Sequence, residues 1–401
     1  MMCGFVGCYL REKEKVSEQE LKAMLAPIQM RGPDHQGLWW DKNIGLGHQR
    51  LKIIDLSSAA NQPFISEDQK IFLVFNGEIY NFLILKEKLK KKGIEFRSNS
   101  DTEVILKAYQ LWGEDSFAML DGIFAFALLD RRKEDQIFLV RDRIGAKPLF
   151  YTNKNSHLLF GSSLASLLKS PYSPQAVSPQ SLFYYLKFSH IPNPESIITG
   201  IEQVPPGAYI HFQNGHLKLK KFWSMKENFL HTPIKQRSLA QAKAEFEDIF
   251  TKVIKRQSIS DVKIGCFLSG GIDSSLISLA FAQENKDTHS FAIGYHEKEF
   301  DESSHAKLIA ELAGTNHHEL ILKAKDFYSI IKDIPKYFDQ PFADPTLLST
   351  LLLAKHARQH VTVALSGDGG DELFFGYSYQ KALYQIQSLN LVPKCLRIPM
   401  L

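Results

Sequence analysis

Cysteine is scarce. The 401 residues hold four, Cys3, Cys8, Cys266 and Cys395, and none forms a Cys-x-x-Cys pair. That spacing excludes a disulfide framework and a thiolate zinc site. It fits reduced thiols, so a cytoplasmic location is expected. Long apolar runs are also missing. None approaches the ~20 residues needed to cross a bilayer, so no membrane partner is expected. The short apolar stretch at 5–10 is followed, not preceded, by the charges of 11–15, the reverse of a secretory leader. Nor is there an excess of one charge. The net charge of +4 is too small to argue for a nucleic-acid partner. The densest basic cluster, Lys86, Lys88 and Lys90-Lys91-Lys92, ends a helical pattern before Gly93, where cations suit the negative end of the helix dipole. Internal repeats and low-complexity tracts are absent.

What is present is ordinary globular composition, 44% hydrophobic and 23% charged, in a chain long enough for two cores. Residues 1–223 read as mostly β with two helices. Apolar or alternating runs recur at 5–10, 44–54, 71–75, 122–129 and 136–141, punctuated by Gly, Asn and Asp. Helical spacing occurs at 21–29 and 82–92. The segment 224–238 is polar and lacks periodicity, so a linker is placed there. Ser238 and Gln241 then form a capping-box pattern. The helix they open presents Leu239, Ala242, Phe246, Ile249, Phe250 and Val253 on one face. The remaining stretch, 239–401, changes character. Strand-like runs at 264–268, 288–293, 317–321 and 361–365 alternate with helical stretches, which predicts an open parallel α/β sheet.

Ligands in such sheets bind past the carboxyl ends of the strands. The run 264–268 empties into Ser269-Gly270-Gly271-Ile272-Asp273-Ser274-Ser275, a small-residue turn that opens a helix. Backbone N–H groups there can close on an anion, and the helix N-terminus adds partial positive charge. The Gly-Lys-Ser/Thr ending of a P-loop is absent. The pattern resembles instead the pyrophosphate loop of enzymes that adenylate a substrate with ATP. After the run 361–365 comes Ser366-Gly367-Asp368-Gly369-Gly370-Asp371-Glu372. Its three carboxylates call for cations, and Mg²⁺ with ATP phosphates is the economical partner. The adjacent pair His317-His318 points to opposite faces of a strand, so no metal site is expected there. Cys266 reads as a small buried hydrophobe.

At the other end of the chain, Met1-Met2-Cys3-Gly4 puts a thiol near the start. With the methionines removed, Cys3 would carry an α-amine of pKa about 8, able to act as base for its own thiol. Further on, in order, come Arg31-Gly32-Pro33-Asp34, His48-Gln49-Arg50-Leu51, Phe75-Asn76-Gly77-Glu78, Ser100-Asp101-Thr102-Glu103 and Arg141-Asp142-Arg143-Ile144-Gly145-Ala146-Lys147-Pro148. The order of these motifs resembles that of class II glutamine amidotransferases, which implies glutamine as the ligand, with a carboxylate, an ammonium and an amide to be held. Arg50 can pair with the carboxylate through its bidentate fork, and Asp101, with Glu78 or nearby carbonyls, can receive the ammonium. The side-chain amide of Asn76 and the N–H of Gly77 can hold a tetrahedral oxyanion.

The same resemblance implies a thiol nucleophile at Cys3 and the N-terminal-nucleophile hydrolase fold, an αββα sandwich of α+β class. It also implies that the segment Arg50, Leu51, Lys52, Ile53 and Ile54 lines the glutamine pocket. The second half resembles the synthetase domain of glutamine-dependent asparagine synthetase, over 268–275, Ser290-Phe291-Ala292-Ile293-Gly294, Asp339-Gln340-Pro341-Phe342-Ala343-Asp344 and 366–377. That implies an α/β domain of the adenine nucleotide α-hydrolase kind. Phe267 or Leu268, with Ile293, would line the adenine pocket. Ser269, Gly270, Gly271, Ser274 and Ser275 would hold the pyrophosphate, and Ser366 and Gly367 would touch the nucleotide. Asp273 and Asp371 would bind Mg²⁺. Asp368 stands where the family carries an acidic residue needed to form the acyl-adenylate. The expected reaction takes glutamine, aspartate and ATP to asparagine, glutamate, AMP and pyrophosphate, with a homodimer left open.

Two departures from the family shape further expectations. Met2 is too large for ordinary removal of an initiator Met1, so Met2 is read as the start. The family continues past this chain's end with a helical segment carrying a catalytic lysine, so the second domain is read as short. The alternatives are a shortened homologue with only glutaminase or nucleotide-binding activity, and an amidotransferase for another carboxylate acceptor.

Overall fold

The computed structural model describes residues 3–11, 14–233, 236–297, 299, 301–380 and 382–383. The expectations about Met1, Met2, Cys395 and the end at Leu401 lie outside the described residues. The chain divides into two compact units. One comprises the described residues of Met1–Val262 together with Phe327–Leu348. The other comprises Lys263–Asp326 and the described residues from Ser349 onward.

The first unit contributes β1 (Gly4–Tyr9), β2 (His35–Asp41), β3 (Ile44–Arg50), β4 (Phe64–Ile65), β5 (Ile71–Ile79), β6 (Gly122–Asp130), β7 (Gln136–Arg141), β8 (Phe150–Lys154), β9 (His157–Gly161), β10 (Glu202–Gln203), β11 (Ala208–Gln213) and β12 (His216–Lys221). They form two six-stranded antiparallel sheets, ordered β10-β8-β9-β1-β3-β2 and β12-β11-β7-β6-β5-β4. Successive side chains point to opposite faces of a strand, and the packing follows that rule. In β1, Phe5 enters the core between the sheets, whereas Val6 and Cys8 face the helix side. In β5, Phe72 and Val74 face the other sheet, whereas Leu73 and Phe75 pack under helices. The helices Glu18–Leu25 and Leu164–Leu167 supply Leu21, Met24 and Leu164 to the outer face of the first sheet. The helices Phe82–Lys90 and Asp101–Trp112 supply Leu85, Val104 and Tyr109 to the outer face of the second. The result is the four-layer αββα sandwich. Strands buried on both faces explain why 71–75 and 122–129 read as near-continuous apolar runs rather than strict alternation. Burying each Phe or Leu contributes about 1.5–3 kcal/mol.

Local details depart from the sequence reading for identifiable reasons. The helix expected over 21–29 runs Glu18–Leu25, capped by Ser17, and tightens into a 3₁₀ segment, Ala26–Arg31, at Pro27. The helices Asp101–Trp112 and Pro179–Phe188 were not anticipated. Each starts at a serine N-cap, Ser100 or Ser178, whose hydroxyl accepts from a first-turn N–H. The polar stretch after Trp223 contains a short exposed helix, Met225–His231, capped by Ser224. The capping box at Ser238 and Gln241 forms as expected.

The second unit contributes β13 (Ile264–Phe267), β14 (His289–Tyr295), β15 (Asn316–Leu322) and β16 (Val363–Leu365). These form a parallel sheet in the order β15-β14-β13-β16. Helices cover both faces. Leu268 and Ala292 pack with Ala306 and Ala310 of the helix Ser303–Ala313 on one side. Phe291 packs with Leu353 and Ala357 of the helix Leu347–Ala357 on the other. The chain leaves β13 toward β14 and β15, then returns to place β16 on β13's other edge. The strand order reverses between β13 and β16, so a crevice is expected at their carboxyl ends. Among the described residues, no helix is long and apolar enough to cross a membrane.

Candidate active sites

In the first unit, Cys3 immediately precedes β1, which pairs antiparallel with β3. The thiol therefore lies beside the end of β3. Its Sγ accepts from the Leu51 N–H at 3.3 Å and sits 3.4 Å from the Leu51 carbonyl. The Cys3 carbonyl takes the Arg31 Nε–H at 3.1 Å. Hydrogen-bonding surroundings place the Asn76 amide nitrogen 2.8 Å from that same carbonyl and its oxygen 3.3 Å from Arg31 Nη2. Burial pushes the thiol up to about 11, while the Leu51 N–H and the Arg50 charge pull the other way. As the chain stands, the sulfur is protonated at neutral pH.

Cys3 opens into a small cavity lined by Arg50, Leu51, Ile53, Ile54, Gly77, Glu78 and Asp101, and also by Gln62, Phe75, Ser100 and Thr102. Arg50 is buried at the end of β3. Its Nη1 donates to the Ser57 carbonyl at 2.7 Å and to Asn61 Oδ1 at 2.8 Å, and its Nη2 donates to the Asp55 carbonyl. A guanidinium has five N–H donors. Nε–H and one Nη2–H have no acceptor among the described residues. That adjacent pair matches the two oxygens of a carboxylate.

The opposite side of the cavity is acidic. Asp101 starts the helix Asp101–Trp112, where its Oδ2 accepts from the Ile79 N–H at 3.0 Å. Burial raises Asp101 to about 6 despite that hydrogen bond. Burial and then the neighbouring Asp101 charge raise Glu78 to about 7, with Lys147 opposing. Lys147 itself is lowered to about 8, by burial and then by Arg31. Two carboxyl groups held this high are short of cations, and a ligand ammonium would supply one.

Gly77 lies between them on β5. The Phe75 N–H goes to Gln62 Oε1 at 2.6 Å and the Ile79 N–H goes to Asp101. Both leave β5 on the edge away from β6. Opposite Gly77, Phe124 uses its N–H and carbonyl on Asp142, on the far side of β6. The Gly77–Phe124 pair is thus a non-hydrogen-bonded one, and the Gly77 N–H leaves β5 on the cavity side. Only glycine fits here. Its φ is 149°, and a Cβ would fall 2.2 Å from the Ile123 carbonyl oxygen. Beneath the cavity, His48 is fully buried, its Nε2 2.9 Å from the Phe75 carbonyl, and burial holds it neutral with a pKa of about 3.

The structure therefore brings Cys3, Arg50, Leu51, Ile53, Ile54, Gly77, Glu78 and Asp101 together. Two residues read from the sequence stand differently. Lys52 has its N–H on Asp34 Oδ2 at 2.8 Å and is not on the wall. Asn76 is fully buried and turned to the Cys3 main chain rather than into the cavity. Gln62 was missed. It joins β5 to the helix Asp101–Trp112 through Phe75 and, at 3.4 Å, Thr102, contacts that no local pattern announces.

In the second unit, the turn after β13 is knitted by hydroxyls. Ser274 Oγ accepts from the Ser269 N–H at 3.2 Å, lies 3.0 Å from Ser269 Oγ and donates to the Gly271 carbonyl at 3.2 Å. Gly271 caps the helix Ile272–Glu284. The buried Ser275 hydroxyl has no partner among the described residues. The turn after β16 packs against this helix start. A Cβ on Gly370 would lie 2.5 Å from the Asp273 carboxyl carbon, and one on Gly367 3.1 Å from the Ser274 nitrogen. Ser366 donates to Asp368 Oδ2 at 2.9 Å. Ser269, Gly270, Gly271, Asp273, Ser274, Ser275, Ser366, Gly367 and Asp368 thus lie in or beside the two packed turns that follow β13 and β16. Asp371 follows in the short helix Gly370–Phe374. Among the described residues, neither the Asp273 nor the Asp371 carboxylate has a hydrogen-bond or ion-pair partner, which suits a hard cation.

The two candidates for an adenine wall separate. Leu268 is buried under the helix Ser303–Ala313. Phe267 and Ile293 are partly buried together on the other face, near Phe291 and Leu353. The segment from Asp339 to Asp344 belongs to the first unit. There Asp339 Oδ2 accepts from the Leu164 N–H at 2.7 Å and Gln340 Oε1 from the Ile197 N–H at 3.3 Å.

The sandwich with its cysteine-headed cavity is of the glutamine amidotransferase class, and residues 2–223 match the family model of the glutamine amidotransferase domain. Residues 245–397 match that of asparagine synthase. The chain is 33% identical over 400 residues to asparagine synthetase [glutamine-hydrolyzing] 1 of Bacillus subtilis, covering 99% of this chain and 62% of that protein. A Methanocaldococcus jannaschii protein, provisionally given the same enzyme name, is 34% identical, with 99% and 80% covered. The chain belongs to the glutamine-hydrolysing asparagine synthetase family. It spans about 62% of the length of the Bacillus subtilis relative.

Proposed function

We propose that the chain carries glutamine-dependent asparagine synthesis, with an amidotransferase domain over 1–223, a linker over 224–238 and a synthetase domain over 239–401. The observation that carries this reading is the convergence of Cys3, Arg50, Gly77, Glu78 and Asp101 on one cavity. Glutamine binds with its carboxylate on the free N–H pair of Arg50 and its ammonium against Glu78 and Asp101. Its amide then lies by Cys3. The thiolate attacks the amide carbon, the oxyanion takes the Gly77 N–H, and ammonia leaves as the thioester forms. Water releases glutamate. Asn76 holds the Cys3 main chain, and a side-chain rotation adds its amide to the oxyanion donors. With a thiol at about 11, the attack needs a base, which an α-amine on Cys3 in a processed chain provides.

In the second unit, ATP lies in the crevice past β13 and β16. Its phosphates meet Ser269, Gly270, Gly271, Ser274 and Ser275. Ser366 and Gly367 adjoin the nucleotide, and Phe267 with Ile293, rather than Leu268, faces the adenine. Asp273 and Asp371 would hold Mg²⁺, which would supply positive charge against the phosphates. Aspartate attacks the α-phosphorus, giving β-aspartyl-AMP and pyrophosphate. Ammonia then displaces AMP. Asp368, exposed beside the nucleotide turn, assists the adenylation. A homodimer, a cytoplasmic setting, and no membrane or nucleic-acid partner go with this reading. The test is incubation with amide-¹⁵N glutamine, aspartate, ATP and Mg²⁺. Labelled asparagine and pyrophosphate in equal amounts are expected. Glutamate without asparagine or pyrophosphate would refute the synthetase part.

A further inference from the structure

The neighbours His317 and His318 do not share a partner. His317 Nδ1 lies 2.9 Å from Ser290 Oγ. His318 faces the other way, its Nε2 2.9 Å from Nδ1 of His289. Its ring centroid is 4.1 Å from that of His360. One ring nitrogen from each of His289, His318 and His360 lies within 4.8 Å of the other two. Among the described residues no other group of three His, Cys, Asp or Glu meets that spacing. The pairwise reading of the sequence gives no reason to expect a metal at His317-His318. It could not see that one of the two joins histidines 29 and 42 residues away (318 − 289 and 360 − 318).

We propose that His289, His318 and His360 bind one zinc-class divalent cation, a site separate from the nucleotide crevice. Three imidazoles with no carboxylate among them suit a borderline transition metal and not Mg²⁺ or Ca²⁺, which prefer oxygen. With metal–nitrogen bonds of about 2.0–2.1 Å, tetrahedral ligand atoms lie about 3.4 Å apart. The 2.9 Å pair opens slightly to reach this spacing, and the exposed His360 turns inward. The backbone fixes the two less mobile ligands. His289 begins β14, and His318 pairs with Phe291 in the β14–β15 ladder. His360 lies in the turn just before β16, held by its N–H on the Ala357 carbonyl at 2.9 Å.

The surroundings fit this role. Asp287 Oδ1 lies 3.7 Å from Nε2 of His289, the nitrogen not facing His318. A carboxylate behind a ligating histidine orients the ring and raises its basicity. His356, whose ring is 5.8 Å from that of His360, stands at the margin. The site lies toward the amino ends of the strands, whereas the turns after β13 and β16 lie at their carboxyl ends. The metal would tie β14 and β15 to the turn that leads into β16, and it does not depend on the proposed reaction. The competing account is a plain ring stack on Phe291, 5.0 Å from the His318 ring.

The test is zinc titration of the chelator-stripped full chain against a chromophoric competitor, repeated with Cys3→Ser so that the thiol of the first site cannot report. The expected result is one Zn²⁺ per chain in both, with micromolar or tighter affinity. His318→Asn and, separately, His360→Asn should weaken it at least tenfold, while His317→Asn leaves it unchanged. His360 is exposed, so its variant remains informative if the His318 variant does not fold. No saturable zinc in the folded chain, or affinity undiminished in the His360 variant, overturns the site.

Discussion

The two candidate sites handle charge in opposite ways. In the first unit, Cys3, Arg50, Glu78 and Asp101 line a small cavity, and burial displaces their proton affinities. The structure spends favourable folding energy to hold two carboxyl groups short of cations, and the ligand's ammonium restores the balance. In the second unit, Asp368 is exposed and Asp273 and Asp371 are only partly covered. Rigidity there lies in the Ser269–Ser274 hydroxyl network. On the proposed reading, the first site is an ordered receptor for a zwitterion. On the same reading, the second is a pair of turns whose negative charges would answer to phosphates and a cation that arrive together. Mutation and pH should therefore affect the two sites differently.

The largest effect is expected from Cys3→Ala. Glutamine hydrolysis should fall about a thousandfold or more, whereas asparagine formation from added ammonia should persist. Loss of both would show that the sites are not separable. Next comes Asp273→Asn, expected to reduce pyrophosphate release about a hundredfold and leave glutamate release within twofold, read by parallel assays. Arg50→Lys keeps the charge but loses the fork. A charged hydrogen bond contributes about 1.5–3 kcal/mol, so KM for glutamine should rise roughly 10–100-fold with kcat little changed. A fall in kcat alone would remove Arg50 from substrate binding.

The smallest effects concern pH. Glu78 and Asp101 are raised to about 7 and about 6, and as neighbours they titrate together. Ammonium binding needs them ionised, so kcat/KM for glutamine should fall as pH drops below about 7. Glu78→Gln should shift or flatten that limb. The same raised values mean that the folded chain binds more protons than the unfolded one between the ordinary carboxylate range and about 7. Stability is then lost as pH rises through that window. Without glutamine, Glu78→Gln should raise the Tm relative to the parent at pH 8 and leave it unchanged near pH 4. An equal shift at both pH values would contradict the account.

The legible part of this fold was whatever repeats locally. The apolar runs of β1 and β5, the capping box at Ser238 and the turn after β13 all rest on near neighbours. The first pocket was also legible where short ordered motifs carry it, at Arg50, Gly77 and Asp101. The rest depends on long-range closure. Gln62 reaches Phe75 and Thr102 from a loop with no signal of its own. The Asn76 side chain is directed by Arg31 and Cys3, and its motif gave the residue type but not the orientation. Phe267 and Leu268 are adjacent, and only the placement of helices shows which one faces Ile293. The histidine group is the extreme case. Neighbours in sequence pointed away from a metal, while parallel strand pairing gathered rings from three segments.

The central claim is that Cys3 attacks an amide oriented by Arg50, Glu78 and Asp101. The direct measurement is peptide mapping by mass spectrometry after treatment with an electrophilic diazoketone analogue of glutamine. One adduct on Cys3, blocked by excess glutamine and accompanied by loss of glutamate release, is predicted. Labelling at another residue with Cys3 unmodified and hydrolysis abolished would contradict it.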